Sequence, residues 1–181
     1  MKRKGLKPNN KPVVIKEGRF IRLIRHGGWE FTKRANCTGI VVIIAMTPEK
    51  KVILIKQYRP PVKRFCIEFP AGLVNDRGLK SRESMAAAAK RELLEETGYK
   101  AGRMIKILAG PSSPGSSADI MTLFKAEGLI RTGDGGGDHT EDIEVFEIPL
   151  DKVDGWLRSM ERRGCLVDPK VYSGLYFLTQ H

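Results

Sequence analysis

Residues 39–46 and 51–58 are two apolar runs rich in Val and Ile, separated only by Thr47-Pro48-Glu49-Lys50. Neither run alternates between apolar and polar side chains, so each reads as a strand buried on both faces. The short polar spacer predicts that the two form a hairpin. Downstream, residues 83–97 contain Met85, four alanines at 86–89, Leu93 and Leu94, and neither Gly nor Pro. This stretch predicts a helix, with Ser81 or Ser84 as its cap and Gly98 as a left-handed stop. Further strands are expected at 11–16, 19–26, 29–34, 65–69, 104–108, 120–126 and 142–148. Helices are expected at 150–163 and at 169–178, the second with Asp168 as cap and Pro169 at its first position. Residues 110–117 are turn-rich, and four glycines within 132–140 predict a mobile loop. Strands before, between and after helices point to an α+β or α/β sandwich with a mixed sheet.

A chain of 181 residues has room for one domain with a sizeable core and too little for two. The longest apolar run, residues 40–46, is far short of a membrane span, and no signal-peptide core follows the basic start. Cys37, Cys66 and Cys165 are odd in number and widely spaced. They make neither a disulfide framework nor a zinc knuckle, and a reducing cytoplasm is the expected setting. The net charge of +11 is unevenly spread. Residues 1–36 carry 11 Lys or Arg against 2 acids, whereas the other 145 residues carry 21 against 19. The expected organisation is a basic N-terminal arm and strand region over 1–36 and a nearly neutral domain over 37–181. A basic arm suits a solubilising surface or attraction to a polyanion; charge alone does not make specific nucleic-acid binding the expectation.

The segment Arg91-Glu92-Leu93-Leu94-Glu95-Glu96-Thr97-Gly98 carries the chemistry. Glu92 and Glu96 are four apart and share a helix face, with Glu95 beside them. Like charges at this spacing repel by about 0.2–0.5 kcal/mol per pair, and the helix dipole disfavours anions in the last turns. A hard divalent cation would reverse that sign, since Mg²⁺ or Mn²⁺ takes carboxylate, water and phosphate oxygens. A solvated acidic face relieved by Lys90 or Arg91 would have the same local pattern. Glu83 lies two helical turns before Arg91, so Arg91 can bridge it to the cluster.

With Glu83 counted, the segment resembles the Nudix box, G-x5-E-x7-R-E-U-x-E-E-x-G-U with U aliphatic or aromatic. Glu83, seven residues, then Arg91 to Tyr99 match it. The opening glycine corresponds to Gly72, with ten residues rather than five before Glu83, so the intervening loop is enlarged by five. Trp29-Glu30 with Lys33-Arg34, Gln57-Tyr58-Arg59-Pro60-Pro61, Ile67-Glu68-Phe69-Pro70-Ala71-Gly72 and Ser113-Pro114-Gly115 resemble the ADP-ribose pyrophosphatase and nucleoside diphosphate sugar hydrolase branch. In that branch a bulky residue usually follows the glycine, where this chain has Ser116-Ser117.

The resemblance implies an α/β/α sandwich and cleavage of the diphosphate of ADP-ribose or a related nucleoside diphosphate sugar, with Mg²⁺ (or Mn²⁺) as cofactor. It implies Glu92, Glu96 and Glu95, with the Ala71 carbonyl, as metal ligands. Glu83 and Arg91 would orient the helix, and Gly98 would end it. Trp29 would stack on the base, where a strand Trp in the core is the alternative. Arg34 and Arg59 would fork onto phosphate or ribose oxygens, where surface ion pairs are the alternative. Glu68 would bond a ribose or base edge, or pair with an Arg, and Pro114 would accompany the sugar substrate. A late-loop carboxylate serves as base in this branch. Glu141 is its counterpart here, unless it is a bystander loop acid; His139 stands second. Members of the branch are homodimers with exchanged N-terminal strands. Two other outcomes are carried forward: hydrolysis of capped RNA ends or dinucleoside polyphosphates, and a silent domain that binds nucleotide or RNA.

Overall fold

The computed structural model describes residues 11–75, 82–137 and 142–180. The N-terminal strands are β1 (Val13–Glu17), β2 (Ile21–His26) and β3 (Trp29–Arg34), followed by β4 (Gly39–Ala45), β5 (Lys51–Arg59), β6 (Arg64–Glu68) and β7 (Ala71–Val74). Helix α1 (Met85–Thr97) comes next, then β8 (Tyr99–Pro111), β9 (Ile120–Arg131) and β10 (Ile143–Pro149). The chain closes with α2 (Val153–Arg162), the two-residue β11 (Leu166–Val167) and α3 (Pro169–Thr179).

Among the described residues three sheets form, in the orders β1-β2-β3, β10-β5-β6-β11 and β7-β4-β9-β8. The β4–β9 and β6–β11 pairs are parallel and the others antiparallel. Strand alternation sends β4 residues to two cores. Val41, Ile43 and Ala45 pack with Ala88, Ala89 and Leu93 of α1. Val42 and Ile44 lie in a second core with Leu54, Val153 and Leu157 of α2, and Val171 of α3. One helix therefore covers one face of the sheets and two cover the other. The class is α+β and the layering is the expected α/β/α sandwich.

The predicted hairpin of 39–46 with 51–58 is corrected. The spacer does reverse the chain: Lys50 N–H donates to the Thr47 carbonyl at 3.0 Å, and Met46 bridges Val52. Beyond that single bridge the strands diverge into different sheets. The edges of β4 are taken by β7 and β9, and those of β5 by β6 and β10. An apolar run identifies a strand as central without naming its neighbours. Two other expectations are corrected in length. β8 and β9 extend well past 104–108 and 120–126 through Gly102 and Gly128, because they form a long antiparallel ribbon whose backbone bonds tolerate glycine. The helix expected at 150–163 opens as a 3-10 turn, Leu150–Lys152, before α2.

The caps form as read. Ser84 Oγ accepts from Ala87 N–H, Gly98 ends α1 at φ 74°, and Asp168 caps α3. The loop read as mobile is corrected over its described part, 132–137, which is fastened to the end of α1. Thr132 and Gly133 donate to the Gly98 carbonyl (2.8 and 3.2 Å), Gly136 to that of Glu96 (2.9 Å) and Gly137 to that of Glu95 (3.1 Å).

Candidate active site

Helix α1 brings its acids to the wall of a cavity of about 510 Å³. Glu92 is 8% exposed and Glu96 only 2%. Burying a carboxylate is expensive unless its oxygens are engaged. Glu96 Oε2 accepts from the Ala71 N–H at 2.9 Å, which docks the last turn of α1 onto the start of β7. Glu92 lies across Gly72. A Cβ there would stand 1.9 Å from Glu92 Cδ, so the glycine is the space that the carboxylate occupies.

Arg91 holds the group together. Its guanidinium meets Glu83 (3.0 Å), Glu92 (2.9 Å), Glu95 (3.1 Å) and the Leu73 carbonyl (3.0 Å). Burial by itself would lower its pKa, but the Glu83 hydrogen bond and the charges around it hold it above the usual guanidinium range. The enlarged loop before the helix is closed at its base. Glu83 N–H donates to Asn75 Oδ1 (2.9 Å), and Asn75 Nδ2 donates to Thr38 Oγ1 (2.8 Å). The extra residues thus leave the Glu83–Arg91 spacing untouched; 76–81 lie outside the described residues.

Cations face these acids across the cavity. Arg59, at the end of β5, pairs with Glu68 at 2.7 Å. Burial opposes its charge, while the Glu68 hydrogen bond and the Glu68 and Glu96 charges raise its pKa. Arg34, at the end of β3, donates its backbone N–H to Asp119 Oδ1 (3.1 Å), and its guanidinium stands 3.8 Å from the other oxygen. Its Nε has no hydrogen-bond partner among the described residues. The rest of the side chain is partly exposed, which leaves the outer guanidinium nitrogens open to an incoming anion.

The turn between β8 and β9 is stitched to β3 as though it were another strand. Thr32 N–H donates to the Ser116 carbonyl and Ala118 N–H to that of Thr32, both at 2.9 Å. Ser116, the departure from the branch pattern, serves this stitch with its backbone. The stitch brings Pro114 and Gly115 beside Trp29, His26 and Phe31 around a second cavity of about 290 Å³. Trp29 is 54% exposed, which removes the core reading. The other tryptophan, Trp156, is half-buried against the second core and packs on Phe146 at 4.9 Å.

Of the candidates read from sequence, Arg34, Arg59, Glu68, Ala71, Glu92, Glu95 and Arg91 line the larger cavity. Glu83 and Glu96 support it from behind. Glu141 and His139 lie outside the described residues. Sequence reading missed Ser112, Asp119 and Lys170, which also line it. Lys170 follows the Asp168-Pro169 helix start, a signal for the helix that says nothing of where the helix points; Asp119 carried no signal. The donor set at the end of α1 is all hard oxygen, which suits a divalent ion. Among the described residues no three acidic, His or Cys side chains converge as a ready cage. Glu92 and Glu95 turn instead to Arg91, and Glu96 to the Ala71 amide. An ion would draw them from these partners.

The sequence and the fold both have known counterparts. A family model for the NUDIX domain matches residues 38–163. The chain belongs to the Nudix family. Nudix relatives include an ADP-ribose pyrophosphatase of Bacillus subtilis, 40% identical over 141 residues, covering 77% of this chain and 71% of the relative. An ADP-sugar pyrophosphatase of Mus musculus is 46% identical over 150 residues, covering 78% of this chain and 66% of that one. Among solved structures, one titled as an ADP compounds hydrolase superposes with a TM-score of 0.68 at 20% identity. It covers 93% of this Nudix chain and 89% of that chain. That likeness shows the shared fold.

Proposed function

We propose that this protein is a metal-dependent Nudix pyrophosphohydrolase acting on ADP-ribose and related nucleoside diphosphate sugars, releasing a nucleoside monophosphate and a sugar phosphate. The observation that carries the reading is the pair of buried acids, Glu92 and Glu96, at the end of a helix whose last turn holds no basic residue. Glu92 lines a cavity that Arg34, Arg59 and Lys170 also line, and Glu96 lies behind it. The names of the relatives above agree with this substrate class.

Glu92, Glu95 and Glu96, with the Ala71 carbonyl, would hold Mg²⁺, and Mn²⁺ would substitute. Bound there, the ion supplies charge neutralisation of the diphosphate and a more acidic water. The chain's own residues do the rest. Arg91 and Glu83 set the angle of α1, and Gly98 lets the glycine loop close on its end. Arg34 and Arg59 bind phosphate oxygens, with Glu68 holding Arg59. Trp29 stacks on the base beside Pro114, worth about 1–3 kcal/mol. Glu141 is the general base, with His139 the alternative. Its support is tethering: Gly137 is bonded to the Glu95 carbonyl, and Ile143 pairs with Gln57. The basic region 1–36 serves substrate steering and a homodimer with exchanged N-terminal strands. No described helix is long and apolar enough to cross a membrane. A cytoplasmic setting agrees with the three free cysteines.

The test is product analysis with ADP-ribose, ADP-glucose, GDP-mannose and capped RNA, with Mg²⁺ or EDTA. ADP-ribose should give AMP and ribose 5-phosphate in Mg²⁺ and nothing in EDTA. Glu96→Gln should lower the rate by orders of magnitude with unchanged circular dichroism. Absence of mononucleotide with all four substrates would leave a silent binder, and cleavage of capped RNA alone would move the substrate class.

A further inference from the structure

Gln57 is a polar side chain in the middle of β5, and it is 8% exposed. Its Oε1 is fully buried and has no hydrogen-bond partner among the described residues. Leaving such an acceptor without a donor is destabilising, so its retention needs a reason. Alternation places Gln57 on the same face of β5 as Ile53 and Arg59. Ile53 packs against Ala88, Ala89 and Leu93 of α1. Arg59 binds Glu68 and lies within reach of the Glu96 charge. Across the sheet Gln57 is opposite Cys66 on β6 and Ile143, the first residue of β10. It thus stands between the Arg59–Glu68 pair and the start of β10, on the face that α1 covers.

Hydrolysis adds a kind of donor that the empty protein lacks. Water polarised by a divalent ion is a strong O–H donor. The oxygen of a carboxamide can accept from it. We propose that Gln57 is a positioning residue for the reaction, its Oε1 accepting a hydrogen bond from a water that enters with the divalent ion and substrate. This rests on the pyrophosphohydrolase reading above.

Gln57→Met removes the acceptor at similar volume, and Gln57→Glu keeps an oxygen at the same reach. Three quantities are measured: the melting temperature without metal, Mn²⁺ affinity by electron paramagnetic resonance, and kcat. Gln57→Met should melt no lower than wild type, because an unsatisfied acceptor has gone. Its Mn²⁺ affinity, kcat or both should fall by about 10- to 100-fold. Gln57→Glu should recover most of that loss. A lower metal-free melting temperature for Gln57→Met would mean that the amide is bonded within the empty protein, and would overturn the proposal. So would wild-type Mn²⁺ affinity together with wild-type kcat, or a Gln57→Glu variant as impaired as Gln57→Met. A wild-type protein that releases no mononucleotide would defeat the hydrolase reading instead, while melting and Mn²⁺ binding still report on Gln57.

Discussion

A single methyl group at position 72 separates a working arrangement of acids from a displaced one. The added Cβ would sit 1.9 Å from Glu92 Cδ and 2.1 Å from Oε1, so Glu92 would have to leave its place. Its place also depends on Arg91, which is shared with Glu83 and Glu95. Misplacing a reacting group by about 1 Å can cost about 100-fold in rate. Gly72→Ala should therefore lower kcat by about that factor. The fold should persist, because Gly72 belongs to the four-residue strand β7 beside the cavity and is only half-buried. Steady-state kinetics beside a urea melt would check this; a wild-type kcat would show that Glu92 has room to spare. The box glycine was legible in the sequence as a motif position. That it makes way for a carboxylate twenty residues later could be read only from the packing.

At the scale of elements, the end of α1 is stabilised by an unusual partner. A helix end with acids in its last turn would ordinarily be relieved by Lys or Arg, but a cation there would pair with the acids and compete with a metal. The peptide N–H groups of the glycine loop relieve it without carrying a full charge. Closure requires glycine at 135: its φ is 73°, and a Cβ would lie 2.5 Å from the Thr97 carbonyl carbon. The left-handed backbone alone costs another residue about 1–2 kcal/mol, and the backbone clash adds to it. Gly135→Ala should destabilise the protein by at least that amount. It should also raise hydrogen exchange at the Gly136 and Gly137 amides more than at β2, as mass spectrometry would report. Tyr99, just past the helix, ties the same end to β10 by donating its hydroxyl to Glu147 at 2.7 Å. Burial and then this bond to Glu147 push its pKa up to about 12 from 10.0. The unfolded chain releases that proton first, so the Tyr99 contribution is intact below pH 10 and disappears between pH 10 and 12. The stability difference between wild type and Tyr99→Phe, from denaturant melts, should shrink across that window. A difference constant from pH 9 to 12 would contradict the assignment.

For the whole molecule, the β1–β3 sheet is joined to the rest through the β3 stitch and the Arg34–Asp119 contact. Much of its apolar surface is open: Val13, Val14, Ile15, Phe20 and Ile21 are between 41% and 63% exposed. Adjacent exposed apolar side chains in a strand region are what an exchanged dimer would cover. Light scattering should give a mass roughly twice 20.2 kDa. Ile15→Lys with Ile21→Lys should shift it to the monomer and raise KM more than it lowers kcat. A monomeric wild type would remove the exchanged-strand dimer.

The sequence by itself determined the helix with its two caps, the central strands, and the spacing that lets Arg91 meet Glu83, Glu92 and Glu95. All of these depend on local spacing: periodicity, capping residues and helix-face neighbours lie within a few residues of one another. Only the tertiary structure decided that β4 and β5 part into different sheets, that Trp29 is exposed while Trp156 packs half-buried against the second core, and that the glycine loop is bound to α1. It alone joined Arg34, Asp119 and Lys170 around one cavity. Those outcomes depend on which strand edges and faces meet across long stretches of chain, where free energy is settled by packing and backbone pairing between residues that no local pattern links.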